Sequence, residues 1–223
     1  MEQTTAQPVP MWDVRLQKIV IVIGRLGLAY LFFTQLFWKL PPTFGCVNDF
    51  AYPQPAAQNY WDANGSSGLC FWLGMETIYA GQPRQVLVAD MKPAGLPKIG
   101  IEIQPLAQIN AALLDSVVKP YLSVFGWLIW LAEFWVFISM LTGFLTRLGG
   151  LVSLGVSAQL FVGLANIPRP YEWEWSYGLM IILSILMLGL GAGRVFGLDG
   201  LLRRRFLPLA GGGFMARLVQ WLT

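Results

Sequence analysis

The chain has 223 residues, of which 56% are hydrophobic and only 12% charged, with a formal net charge of +3 and no histidine. A soluble domain carries about 25% charged residues. Half that share, with a mean hydropathy of +0.57, points to a chain embedded in a bilayer. The lack of histidine removes the usual protein ligands of haem and copper, and two cysteines are too few for an iron–sulfur cluster, which takes about four. No metal site is therefore expected. The small excess of cations flanks apolar runs, so it gives no reason to expect a nucleic-acid partner.

The first twelve residues, MEQTTAQPVPMW, carry Glu2 and no cation. They lack the basic start of a cleavable signal, and residues 1–18 read as a retained tail. Apolar runs follow at 19–38, 122–143, 148–167 and 175–193, each close to the roughly 20 residues needed to cross a hydrocarbon core of about 30 Å. The predicted fold is thus an all-α membrane protein. It is a four-transmembrane-helix bundle over 19–193, with a long extracytoplasmic loop at 39–121 and a tail at 194–223. Arg15 and Lys18 precede the first run, Arg147 fills the tight turn between the second and third, and Arg194, Arg203, Arg204 and Arg205 follow the fourth. Short basic flanks stay in the cytoplasm. Both termini are therefore predicted inside, with Arg147, Arg203, Arg204 and Arg205 as topogenic, lipid-headgroup residues.

Both cysteines, Cys46 and Cys70, fall in the outer loop. An oxidising compartment makes a structural disulfide the expected state. Closing a loop of about 23 residues stabilises by about 3 kcal/mol in the chain-entropy account. A redox-active dithiol is the competing reading, but there is no C-x-x-C, no second pair and no histidine to lower a thiol pKa. Residues 41–70, rich in Pro, Gly, Asn and aromatics, predict an irregular cap pinned by that disulfide. Within 87–103, the alternating pieces VLVAD and IGIEI predict a hairpin. Residues 106–118 predict a helix with Leu106, Ile109, Leu113 and Val117 on one face and Gln108 and Asp115 on another, ended by Pro120. The whole loop reads as a lid over the bundle.

Few polar residues enter the spans. At 1.5 Å per residue, Arg25 lies about 9 Å above residue 19, Glu133 about 15 Å above residue 143 and Gln159 about 16 Å above residue 148. Gln35 and Lys39 lie towards the outer end. Allowing for the reach of arginine, Arg25, Glu133 and Gln159 are predicted to form one polar intramembrane cluster. Two readings stand. One is interhelical glue, and the other is a proton-handling or quinone-headgroup site, because a mid-membrane carboxylate is costly and marks a functional candidate. Small residues repeat every fourth position, Gly149, Ser153, Ser157 and Gly155, Gln159, Gly163, which lets helix backbones approach closely. Residues 214–222 predict a short interfacial helix with Arg217 on its polar side and Trp221 at depth.

Several pieces resemble one family. Gly24-Arg25-Leu26-Gly27 followed by Lys39, then Val118-Lys119-Pro120, Ala132-Glu133, the run Leu141-Thr142-Gly143-Phe144-Leu145-Thr146-Arg147-Leu148, Gly191-Ala192-Gly193-Arg194 and Leu198-Asp199 are similar to the DoxX/DoxD family of four-helix membrane proteins. The long cysteine-bearing loop is nearer the DoxD layout. The resemblance implies a multi-pass protein of a bacterial or archaeal cytoplasmic membrane. It further implies protein partners in a membrane complex, with lipids and a quinone as ligands and no covalently held cofactor. Three functions stand, the first two implied by the resemblance and the third by the mid-span carboxylate. They are an auxiliary subunit of a quinone-linked electron-transfer complex, the membrane subunit of a thiosulfate:quinone oxidoreductase, and a small proton-coupled transporter using Glu133.

Overall fold

The computed structural model describes residues 10–39, 68–89, 98–167, 173–206 and 213–223. Among these, α1 (Met11–Leu36) ends in a 3₁₀ turn, Phe37–Lys39, and α2 is Gly68–Tyr79. Strands β1 (Gln85–Ala89) and β2 (Ile99–Glu102) pair antiparallel, with a bulge between Val86 and Ala89. Helix α3 (Gln104–Leu113) runs through a π turn, Leu114–Val118, and a 3₁₀ turn, Lys119–Tyr121, into α4 (Leu122–Thr142). Then come α5 (Thr146–Leu164), α6 (Glu174–Leu190), α7 (Leu198–Phe206) and α8 (Phe214–Leu222).

Three helical runs are long and apolar enough to cross a membrane: Met11–Leu36, Gln104–Thr142 and Thr146–Leu164. Helix α6 is equally apolar but has 17 residues. It stops short of the expected 175–193 because Gly191 takes a left-handed conformation (φ +57°) and a 3₁₀ turn follows.

Helix α1 packs on α4 and α6, and α5 packs on α4 and α6, so the four close into a bundle. Residues one turn apart supply its core: Leu28, Ala29 and Phe32 of α1 meet Val136 and Met140 of α4 and Met187 of α6. The opposite faces expose Ile23, Leu128, Leu131, Ile182 and Ile185, which suits lipid and not water. Small residues bring α5 and α6 close together. Ser153 and Ser184 share a 2.7 Å hydrogen bond, and a methyl on Gly150 would press on the α6 backbone. Gly149 lies as tightly against Ser139 of α4. Of the second expected row, Gly163 is packed, but Gly155 faces open space.

The loop end is more regular than the composition suggests. Where an irregular cap was expected as far as Cys70, residues 68–79 form a helix. Its Leu69, Cys70 and Leu73 pack on Leu114, Val118 and Leu122. Cys70 is fully buried. Cys46, with the rest of the expected cap at 41–67, lies outside the described residues, and so does the expected Cys46–Cys70 pairing. The hairpin forms as expected, its strands joined through residues outside those described.

Pro120 does not end the preceding helix. The π and 3₁₀ turns around it absorb the missing amide bond, and the chain bends there. A straight run would carry Asn110 about 18 Å beyond Leu122. Yet Asn110 and Gln159 of α5 both bond one oxygen of Glu76, each at 2.7 Å. Helix α3 therefore folds back over α5. It packs through Ala107 and Ala111, while Leu106, Ile109, Leu113 and Val117 remain exposed. The apolar face read from the sequence points outward because only the small-residue face lets α3 come close.

Candidate functional site

At the basic end of the bundle, three chain segments are tied into a knot. Arg25 of α1 donates to the carbonyls of Ala192 (3.4 Å), Val195 and Phe196 (both 3.2 Å). The Asp199 carboxylate accepts from the amides of Leu145 (2.6 Å) and Thr146 (3.0 Å) and from the Thr146 hydroxyl (2.7 Å). It thereby caps the exposed amides at the start of α5 and holds Leu145 in an otherwise disfavoured left-handed conformation (φ +48°). Gly143, also left-handed, ends α4, and a side chain there would overlap the Arg25 guanidinium and Gly197. Asp199 donates its own amide to the Gly143 carbonyl at 2.8 Å.

Arg25 consequently does not meet Glu133 or Gln159. The single cluster expected from span depths is corrected to three separate sites. Helix α1 is slid lengthwise against its neighbours, which puts Arg25 level with Gly143, whereas Glu133 lies about 15 Å farther along α4.

Lys39 takes the place assigned to Arg25. It stands about 21 Å beyond Arg25 along α1, and its ammonium pairs with Glu133 Oε1 at 2.5 Å, with both side chains buried. Glu133 Oε2 is buried and has no partner among the described residues. Around the pair lies an aromatic seam between α1 and α4. Trp130 stacks on Phe134 at 5.1 Å and donates its indole N–H to the Leu36 carbonyl, and Phe33 contacts Phe137. Trp130, Glu133, Phe134 and Phe137 share one face of α4 by helical spacing. Phe33, Phe37, Trp127 and Phe134 are all exposed on the outer surface of this seam.

Gln159 belongs to a third site, centred on Glu76 of α2, which the sequence reading did not single out. Glu76 is 2% exposed. Gln159 and Asn110 donate to its Oε2, and a methyl on Gly163 would overlap its carboxylate. Beside it, buried Arg84 donates to the carbonyls of Gly163 (2.7 Å) and Val162, closing the end of α5. With the guanidinium engaged there, Glu76 is neutralised by no direct ion pair among the described residues. Burial pushes its pKa up to about 8, against the opposing pull of the Asn110 and Gln159 hydrogen bonds and the charge of Arg84. Burial thus favours the protonated, neutral form of Glu76 well above the usual carboxylate range. The signal in the sequence was a carboxylate inside an apolar run with helical spacing, GLCFWLGMETIY, hidden behind a Pro- and Gly-rich stretch.

Of the arginines read as topogenic, Arg147 and Arg203 sit against the knot, with Arg147 donating to the Trp221 carbonyl. Arg204 and Arg205 are exposed on α7. Among the described residues no group of three or more acidic, cysteine or histidine side chains could hold a metal ion.

The sequence profile of a family described as "TQO small subunit DoxD" matches residues 67–211, well over half of the chain. The chain belongs to the DoxD family. The matched region holds Glu76, Glu133, Gln159 and the arginine-flanked turns, while Arg25 and Lys39 precede it. TQO denotes thiosulfate:quinone oxidoreductase, so the family is one of membrane subunits acting with protein partners. Neither a curated protein nor a solved structure matches the chain. Most of the short motifs that carried the family resemblance, from Gly24-Arg25 to Leu198-Asp199, meet in the knot at the basic end. There they tie α1, the turn between α4 and α5 and the segment after α6 to one another.

Proposed function

We propose that this chain is the membrane subunit of a thiosulfate:quinone oxidoreductase-type complex and offers the quinone headgroup its site. All four bundle helices cross the bilayer, α6 with a length of about 26 Å, and both termini lie on the cytoplasmic side with the basic flanks. The supporting observation is the buried Lys39–Glu133 pair beside an aromatic seam whose outer surface is exposed. Quinone reduction takes two electrons and two protons. The electrons come from the partner subunit. The seam suits a flat ring arriving from the bilayer, and the Lys39 ammonium suits charge developing on a ring oxygen. The Glu133 carboxylate suits a proton relay, taking up a proton from water as electrons reach the ring and passing it to the ring oxygen.

The test uses the assembled complex. Glu133→Gln keeps the shape and a hydrogen-bond acceptor, so subunit assembly is expected to be normal. Quinone reduction should fall at least tenfold, a loss of roughly 1.4 kcal/mol or more in transition-state stabilisation, while electron delivery to a soluble dye is unchanged. Normal quinone turnover in that variant would reduce Glu133 to structural glue and reject the reading.

The second part of the proposal is that Cys46 and Cys70 form the disulfide that fixes α2 over the bundle. Under denaturing, non-reducing conditions the chain should take up no alkylating reagent, and after reduction it should take up two equivalents. Two thiols alkylated without reduction would rule the bond out.

A further inference from the structure

We propose that Arg147, Arg194 and Arg203, together with the apolar face of α8, form a headgroup site for an anionic phospholipid in the leaflet at the basic end of the bundle. Helix α8 is drawn against the bundle by its own last carbonyls. Arg147 donates to Trp221 O at 3.2 Å and Arg194 to Thr223 O at 2.8 Å, cations placed at the negative end of a helix. This gathers guanidinium groups that repel one another. Arg194 holds its proton less tightly, first through burial and then through the charges of Arg147 and Arg203, with Asp199 opposing. Asp199 offsets only part of this charge, since among the described residues it forms no salt bridge with any of the three arginines.

Two guanidinium nitrogens of this group are enclosed by protein. Arg147 Nε and Arg203 Nη1 are buried and lack partners among the described residues. A phosphodiester supplies what they lack, an anion with several acceptor oxygens matched to the planar donor fork of arginine. The surroundings select a lipid over a free anion. Phe214, Leu218 and Trp221, at i, i+4 and i+7 on α8, are 77%, 37% and 53% exposed, while Arg217 and Gln220 take the flanking positions. Such a face sits in the boundary between headgroups and acyl chains, which brings a lipid phosphate level with the arginines. Arg204 and Arg205, exposed on α7, add long-range attraction to an anionic surface without contributing to the site.

Trp221 provides the readout. The whole subunit is placed in phosphatidylcholine vesicles carrying an equal mole fraction of either phosphatidylglycerol or phosphatidylcholine with brominated acyl chains. Quenching assigned to Trp221 is the difference between the protein and its Trp221→Phe variant. Brominated phosphatidylglycerol should quench Trp221 several-fold more than the choline lipid. Arg203→Gln, which breaks no hydrogen bond seen in the structure, should remove most of that preference, and Arg204→Gln should leave it intact. Equal quenching by the two lipids would overturn the proposal. So would a preference that survives Arg203→Gln, or one lost equally in Arg204→Gln, since general surface charge would then explain it. Displacement by millimolar inorganic phosphate would mean a site for free phosphate and would also overturn it.

Discussion

Lys39→Met is expected to destabilise the subunit by about 3–5 kcal/mol, because it strands the Glu133 carboxylate in the bundle without its cation. Both side chains are buried and their contact is 2.5 Å, so solvent offers little compensation. Removing both charges is a different perturbation. In the Lys39→Met, Glu133→Gln double variant no buried charge remains, and most of the lost stability should return, since replacing a whole buried pair is often close to neutral. Unfolding midpoints in one detergent, measured for the two single variants and the double variant, form a closed cycle. Equal losses in Lys39→Met and in the double variant would show that the pair is not coupled. Quinone turnover in the same set separates fold from function: the double variant should be stable and inactive.

Glu76 predicts a pH dependence of definite sign. In the folded chain its pKa stands at about 8, whereas an unfolded chain has an ordinary carboxylate near 4.5. Between those values the folded state keeps a proton that the unfolded state has lost. The stability due to Glu76 is therefore fully present below about pH 4.5, falls as pH rises and is exhausted once the pH passes about 8. The slope in the middle of that window approaches about 1.4 kcal/mol per pH unit. Glu76→Gln preserves an acceptor for Asn110 and Gln159 but does not titrate. Denaturation midpoints recorded from pH 5 to 9 should slope downward for the natural chain and flatten in the variant. Parallel slopes in the two proteins would show that Glu76 is ionised throughout, with Arg84 as its effective counter-charge.

The membrane class, the apolar runs, the hairpin at 85–102 and the amphipathic helix at 214–222 follow from composition and periodicity alone, because each depends on local spacing of apolar residues. Glu133 was also visible, since the cost of a mid-span carboxylate does not depend on its partner. Its partner was not visible. Which cation meets Glu133 depends on how far α1 slides along α4, and hydropathy sets only approximate span ends. Close approach of Gly143, Gly193 and Gly197 to Arg25 and Asp199 fixes that slide, leaving Lys39 as the residue within reach. Glu76 escaped notice for a related reason. Helix α2 is too short to register as a span, and Pro120 marks a break in the helix without showing that the chain turns back to bring Asn110 beside Gln159. Composition and local spacing say which groups must be buried. Which of them meet is settled by packing between helices, because lengthwise register and chain reversal are not properties of any one helix.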